Sequence, residues 1–182
     1  MTEQLWWHVA RSGGILALLM AGASVVTGLV FAAKAVRGKP GPKWQLDMHR
    51  FLGGSALVFT IVHMAALVGD NFVHFGLTDL LVPLASDWNP GAVAWGIVTM
   101  YLLVAVEVTS LLMKRIPRRW WKMVHFGSYG LLWTGLIHGS TAGTDSSSGI
   151  YVLAMGLIIL LTMGLTAYRI LVSRLVKKAL AA

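Results

Sequence analysis

"DMHRFLGGSALVFTIVHMAA", Asp47–Ala66, is an apolar stretch of membrane-span length that carries two histidines, His49 and His63, fourteen residues apart. About 20 apolar residues suffice for a helix to cross a hydrocarbon core of about 30 Å. An imidazole in lipid is costly and calls for a partner. Two in one span decide how the rest of the chain is read.

The chain of 182 residues is 57% hydrophobic and 12% charged, which points to a membrane protein rather than a soluble domain. Apolar runs place candidate spans at Gly13–Val36, Leu46–Val68, Ala92–Met113, Trp120–Ile137 and Gly149–Val172. The breaks between them, "RGKPGPK", "DWNPG", "KRIPRR" and "STAGTDSSSG", mix Gly, Pro, Ser and charge as loops do. The fold class expected is all-α: a polytopic bundle of five transmembrane helices, one domain over residues 1–182. There is no cysteine, which excludes disulfides and thiolate-held metal or iron–sulfur centres. "MTEQLWWHVARSGG" is a poor signal-peptide start and runs into a full-length span.

The net charge of +8 has a topological origin, and no nucleic-acid partner is expected. Lys34, Arg37, Lys39, Lys43 and Arg50 lie at the first loop, and Lys114, Arg115, Arg118, Arg119 and Lys122 at the third. Arg169, Arg174, Lys177 and Lys178 lie at the C-terminal end, so fourteen of the fifteen basic residues fall on one side of a five-span chain. The positive-inside rule makes that side cytoplasmic, with the N-terminus outside and the C-terminus cytoplasmic. The other side carries Glu3, Asp70, Asp79, Asp87 and Asp145 against Arg11 alone. Trp6, Trp7, Trp44, Trp88, Trp120 and Trp121 fall at the expected interfaces.

A second histidine pair lies in the fourth span, "VHFGSYGLLWTGLIHG": His125 and His138, thirteen residues apart. Spans two and four run in the same direction, so His49 and His125 share one depth and His63 and His138 another. At about 1.5 Å per residue the two depths are roughly 20 Å apart. Two parallel helices with histidines matched at two depths can hold two six-coordinate haems, because neutral imidazole is a good axial ligand. Fourteen residues bring His49 and His63 to within about 40° of one face, whereas thirteen leave His125 and His138 about 140° apart on an ideal helix. Either the fourth span is distorted, for which Gly127, Ser128, Gly130 and Gly135 give scope, or the two rings leave it on different sides. Gly53 and Gly54 near His49, and Gly135 and Gly139 near His138, would make room for a flat macrocycle, or would simply let helices pack closely.

These two spacings on nonadjacent spans resemble the ferric reductase-like transmembrane domain, the membrane part of ferric reductases, NADPH oxidases and the haem-bearing subunit of periplasmic methionine sulfoxide reductase. The resemblance runs from about Gly13 to Leu171. It implies two haem b groups passing electrons singly across the membrane, His49 and His125 holding the inner and His63 and His138 the outer. Ferric reductases and NADPH oxidases usually continue into a flavin and nicotinamide domain. No glycine-rich dinucleotide fingerprint opens a βαβ unit here. The donor expected is therefore a cytoplasmic flavoprotein reductase or a membrane quinol, with flavin or quinone as further cofactors. An outer-face redox partner would accept the electrons. The setting expected is the lipid bilayer of a bacterial plasma (inner) membrane.

Arg50, which adjoins His49, is the candidate partner of a haem propionate, with Arg118, Arg119 and Lys122 nearby; plain positive-inside anchoring is the alternative. Glu107, the acid well inside a span, is a candidate proton site, or a neutral hydrogen-bonded acid near Thr109 and Ser110. His74 lies in "DNFVHFGLTDLLVPLASDW" with Asp70, Asp79 and Asp87. That segment is expected to be a surface helix over the outer level, holding a cation or serving as a lid with solvated charges. His8 is read as an interfacial residue. Two other functions compete with electron transfer: a metal or proton transporter using the intramembrane histidines, and a non-catalytic membrane anchor.

Overall fold

Helix boundaries follow the prolines and glycines. The computed structural model describes residues 2–34, 41–70 and 73–181. Val36, Arg37, Lys39 and Phe72, and the side chains of Glu3, Lys177 and Lys178, lie outside what is described. The described residues form six helices and no strand: α1 (Thr2–Ala33), α2 (Pro42–Gly69), α3 (Leu77–Leu81), α4 (Pro90–Leu111), α5 (Arg118–Ala142) and α6 (Gly149–Ala181). Pro42 and Pro90 occupy the first turns of α2 and α4, where a missing N–H removes no helical bond. Asn89 precedes Pro90 with a φ of 40°, a left-handed conformation that Asn tolerates better than most residues. Pro117 caps the start of α5 and Gly143 its end.

Four of the five long helices are long and apolar enough to cross a membrane: α1 from Gln4 to Ala33, α2, α4, and α6 from Gly149 to Val176. Helix α5 has 25 residues, enough in length, but Arg118, Arg119, Lys122 and two histidines make it the most polar. It packs along α4. Two boundaries differ most from the sequence expectation. Helix α1 begins at Thr2 instead of Gly13, and α6 runs to Ala181 instead of Val172. Neither extension contains proline, and polar side chains do not stop a helix whose backbone bonds are internal. The segment after α2 also differs. Its helix is only the five residues of α3, because Gly76 precedes it, Pro83 follows it, and His74 and Leu84 have φ of 59° and 69°.

Helices α1 and α2 form an antiparallel pair, with Gly13 and Gly14 against His63 and Gly28 against His49. Helices α4 and α5 form another, with Gly96 against His138 and Ser110 beside His125. Helix α1 also touches α5 and α6, where Gly22 meets Ile158. Three buried clusters hold the bundle: Ala21, Ala56, Leu103 and Leu131 at its middle; Phe75, Leu80, Val93 and Ile97 where α3 meets α4; and Leu132, Leu136, Met155 and Ile158 against α6. The outward face of α6 is bare of cover, with Ile150 85%, Leu153 75% and Leu160 69% exposed. An apolar surface of this extent belongs in lipid.

Among the described residues α2 meets α4 only slightly and does not pack along α5. Helices in direct contact have axes about 8–10 Å apart, which leaves no room for anything between them. The wider separation of α2 and α5 positions the histidines.

Candidate functional site

Each histidine of α2 meets one of α5. The His49 and His125 ring centroids are 5.9 Å apart with ring planes at 76°, and those of His63 and His138 are 6.3 Å apart at 73°. Helix α5 is unbroken from Arg118 to Ala142, so no break absorbs the thirteen-residue interval. Both rings lie against α4, at Ser110 and at Ala92 and Gly96, and both reach their partners on α2.

The rings are held from behind by the helix that precedes each histidine-bearing helix. His49 Nδ1 donates to the Ser24 carbonyl at 2.8 Å and lies 3.1 Å from Ser24 Oγ, which itself donates to the His49 carbonyl at 3.0 Å. His63 Nδ1 donates to the Ala10 carbonyl at 2.6 Å, and His138 Nδ1 to the Ala92 carbonyl at 2.8 Å. A carbonyl only accepts, so Nδ1 carries the proton in these three rings and Nε2 keeps its lone pair. A backbone carbonyl on the far nitrogen is the usual way a metal-binding imidazole is oriented. His125 Nδ1 lies 3.4 Å from Ser110 Oγ, and its ring stacks on Trp121 with centroids 4.9 Å apart and planes at 23°.

The backing helices approach closely because they carry glycine where a ring lies. A methyl group at Gly14 would stand 3.1 Å from His63 Nδ1, one at Gly28 3.0 Å from His49 Cε1, and one at Gly96 2.7 Å from His138 Cε1. Sequence reasoning missed these three, together with Ser24 and Ser110, although a signal was present. Gly14 and Gly28 are fourteen residues apart on α1, and Gly96 and Ser110 fourteen apart on α4, the interval that separates His49 from His63. The glycines singled out from sequence have other neighbours. Gly53 faces Glu107 and Ser24, Gly54 faces open space, Gly135 faces Leu18 and Thr99, and Gly139 faces Tyr151 and Leu18.

A cavity of ≈ 220 Å³ surrounds the His63–His138 level between α1, α2, α4 and α5. Its wall is mainly apolar, with Leu18, Met64, Ile97 and Leu103 among its residues. Arg11, Asp70, Asp145 and Tyr151 also line it. Arg11 donates through Nε and Nη2 to both oxygens of Asp145. That guanidinium holds the Asp145 carboxyl below its ordinary range, chiefly through the hydrogen bond.

The remaining candidates lie apart from the rings. Arg50 is exposed beside His49, and His8 is exposed on α1. Glu107 is half-buried against Gly53 and Ser24, which makes it a neighbour of the His49 level without placing it on a ring. His74 lines a shallow cleft with Asp79, Ser86 and Asp87. Among the described residues no three potential ligands there, or elsewhere, converge to hold a bare metal ion.

The donor set at each histidine level suits a metal that brings its own equatorial ligands. Two imidazoles binding one metal from opposite sides at about 2 Å each, with each centroid roughly 1 Å behind its nitrogen, have centroids about 6 Å apart. Both observed separations match this. A protein site for bare zinc uses three or four side-chain ligands, whereas a haem supplies four nitrogens and needs only the axial pair.

The model of the family described as "ferric reductase like transmembrane component" matches residues 13–136, the segment that holds α2, α3 and α4 whole and three of the four paired histidines. No curated protein and no solved structure matches the chain.

Proposed function

The chain belongs to the ferric reductase-like transmembrane family, and from that premise we propose that it is a diheme membrane cytochrome b that carries electrons from a cytoplasmic donor to an acceptor at the outer face. The observation that supports this reading most is the pairing of His49 with His125 and of His63 with His138 at two depths, each pair with the spacing of axial ligands.

When bound, each haem supplies a centre that gains or loses one electron at a time. The chain does the rest. The Ser24, Ala10 and Ala92 carbonyls fix the tautomer and direction of three imidazoles, so Nε2 is presented without a search through rotamers. His63 and His138 would together hold the haem from both sides and bar an acceptor from direct iron binding, which favours outer-sphere transfer. Mainly apolar walls surround the His63–His138 level. Arg50, exposed beside His49, would be the cation offered to a haem carboxylate at the basic end. Positive-inside topology makes that end cytoplasmic. A flavoprotein reductase or a membrane quinol would dock there, with flavin or quinone as the carrier.

The test is haem content per chain on detergent-purified protein, with a reduced-minus-oxidised spectrum. Two b-type haems with low-spin bands are expected. Protein expressed with ample haem that carries none would overturn the electron-transfer reading and favour a transporter.

A further inference from the structure

Among the described residues three buried side-chain polar atoms have no hydrogen-bond partner: Trp121 Nε1, Tyr151 Oη and Thr162 Oγ1. An unpaired buried donor is costly and uncommon in a native protein, so each calls for a physical reason. Two of the three stand beside the histidine pairs, one at each level.

Trp121 stacks on His125 and precedes it by one turn of α5, toward the basic end. Tyr151 begins α6 at the opposite end. Its hydroxyl occupies the space that a side chain on Gly139 would fill, next to His138, and it lines the same cavity as His63 and His138. By chain position Trp121 is one turn nearer the basic end than His125, and the Tyr151 hydroxyl lies at Gly139, one residue beyond His138 toward the other end. A tetrapyrrole held between such imidazoles carries two carboxylates on one edge. Charge in hydrocarbon is expensive, so that edge must face the nearer membrane surface. The donors stand where those edges would emerge.

The charges around them fit the same orientation. At Tyr151, Asp145 is already paired with Arg11, so its charge does not stand alone against another carboxylate. Asp145 takes Arg11 Nε and one hydrogen of Nη2, and the rest of the guanidinium fork still has protons to donate. Near Trp121 in sequence, Arg118 and Lys122 put positive charge on the same stretch of α5.

We propose that Tyr151 Oη–H and Trp121 Nε1–H are hydrogen-bond donors to the carboxylate edges of the two bound tetrapyrroles, and so fix each with that edge toward its own membrane surface. This rests on the haem reading above and assigns two positioning residues that the axial ligands do not imply.

The experiment is titration of the haem-free full-length chain in detergent with haemin and with haemin dimethyl ester, which has no free carboxylates. It is followed by redox titration of the loaded protein. The unsubstituted chain is expected to prefer haemin at both sites. Tyr151→Phe deletes one hydroxyl and keeps the ring. It should weaken haemin binding at one site about ten-fold, the lower end for a hydrogen bond to a charged group, and leave ester binding unchanged. Trp121→Phe should do the same at the other site, and each variant should move only one of two midpoint potentials. Thr162→Val, the third orphan, lines no part of the cavity and should change nothing. Equal affinity of the unsubstituted chain for haemin and ester, or unaltered preference in both variants, overturns this inference alone. Parallel loss of haemin and ester reduces the residue to packing and also overturns it. If the unsubstituted chain takes up neither, the haem reading falls and this inference with it.

Discussion

Gly96 lies directly on the His138 ring: a methyl group there would stand 2.7 Å from Cε1 and 2.8 Å from Nδ1. The ring cannot yield freely, because its Nδ1 is bonded to the Ala92 carbonyl one turn away on the same helix. On the proposed diheme reading, Gly96→Ala is therefore expected to tilt His138 and to remove one of the two haems, leaving the other bound. Gly28→Ala, whose methyl would be 3.0 Å from His49 Cε1, should weaken the other haem by less. Haem-to-protein ratios of the two purified variants check both the effect and its order.

The pairing itself makes a sharper prediction. His49→Ala and His125→Ala should remove the same haem, with superimposable difference spectra, and His63→Ala and His138→Ala should remove the other. Redox titration of the four variants distinguishes this from cross-pairing, in which His49 and His138 would share a phenotype.

Gly22 tests the frame apart from the rings. A methyl at Gly22 would stand 2.7 Å and 2.8 Å from two atoms of Ile158 on α6. Gly22→Leu should push α6 from α1 and cost about 1–3 kcal/mol, the usual range for overpacking. Both haems should remain in the fraction that stays folded. Thermal unfolding in detergent, followed at the haem band and by helical circular dichroism, measures the two outcomes separately.

The Arg11–Asp145 pair predicts a pH dependence. The folded Asp145 carboxyl titrates below its unfolded value of about 3.9. The folded chain thus binds fewer protons than the unfolded one in that interval. The pair's contribution is present above the unfolded value and is lost as pH falls through the depressed folded one. Asp145→Asn should remove that contribution near neutrality, matter least at the acid end where it is already lost, and so flatten thermal stability across the acid range between them. Because Arg11 is exposed, the effect should also shrink in high salt.

Much of the site was legible in the chain, since histidines at matched depths announce themselves by spacing alone. The structure brings His49 near His125 and His63 near His138. What was harder to read were the residues behind them. Gly14, Gly28 and Gly96 look like ordinary packing glycines until a ring is found on each. The Ala10 and Ala92 carbonyls belong to backbone and carry no side-chain signal at all. The fold was misjudged at its edges for a different reason. Hydropathy locates where lipid is favourable, whereas α1 and α6 continue through polar residues beyond it, with no proline to interrupt them. Segment 73–88 has the composition of an amphipathic helix, but Gly76 and Pro83 confine α3 to five residues.

The fourteen-residue interval between His49 and His63 has an electrical consequence for the proposed cytochrome. At about 1.5 Å per residue it covers roughly 21 Å of a hydrocarbon core about 30 Å thick, so about two-thirds of the voltage across the bilayer falls between the two levels. One elementary charge crossing the full membrane exchanges about 2.3 kcal/mol per 100 mV. An electron moving from one level to the other thus exchanges about 1.6 kcal/mol per 100 mV, enough to shift its distribution between them roughly fifteen-fold. The voltage of an energised membrane would bias where this chain holds its electron before any donor or acceptor arrives.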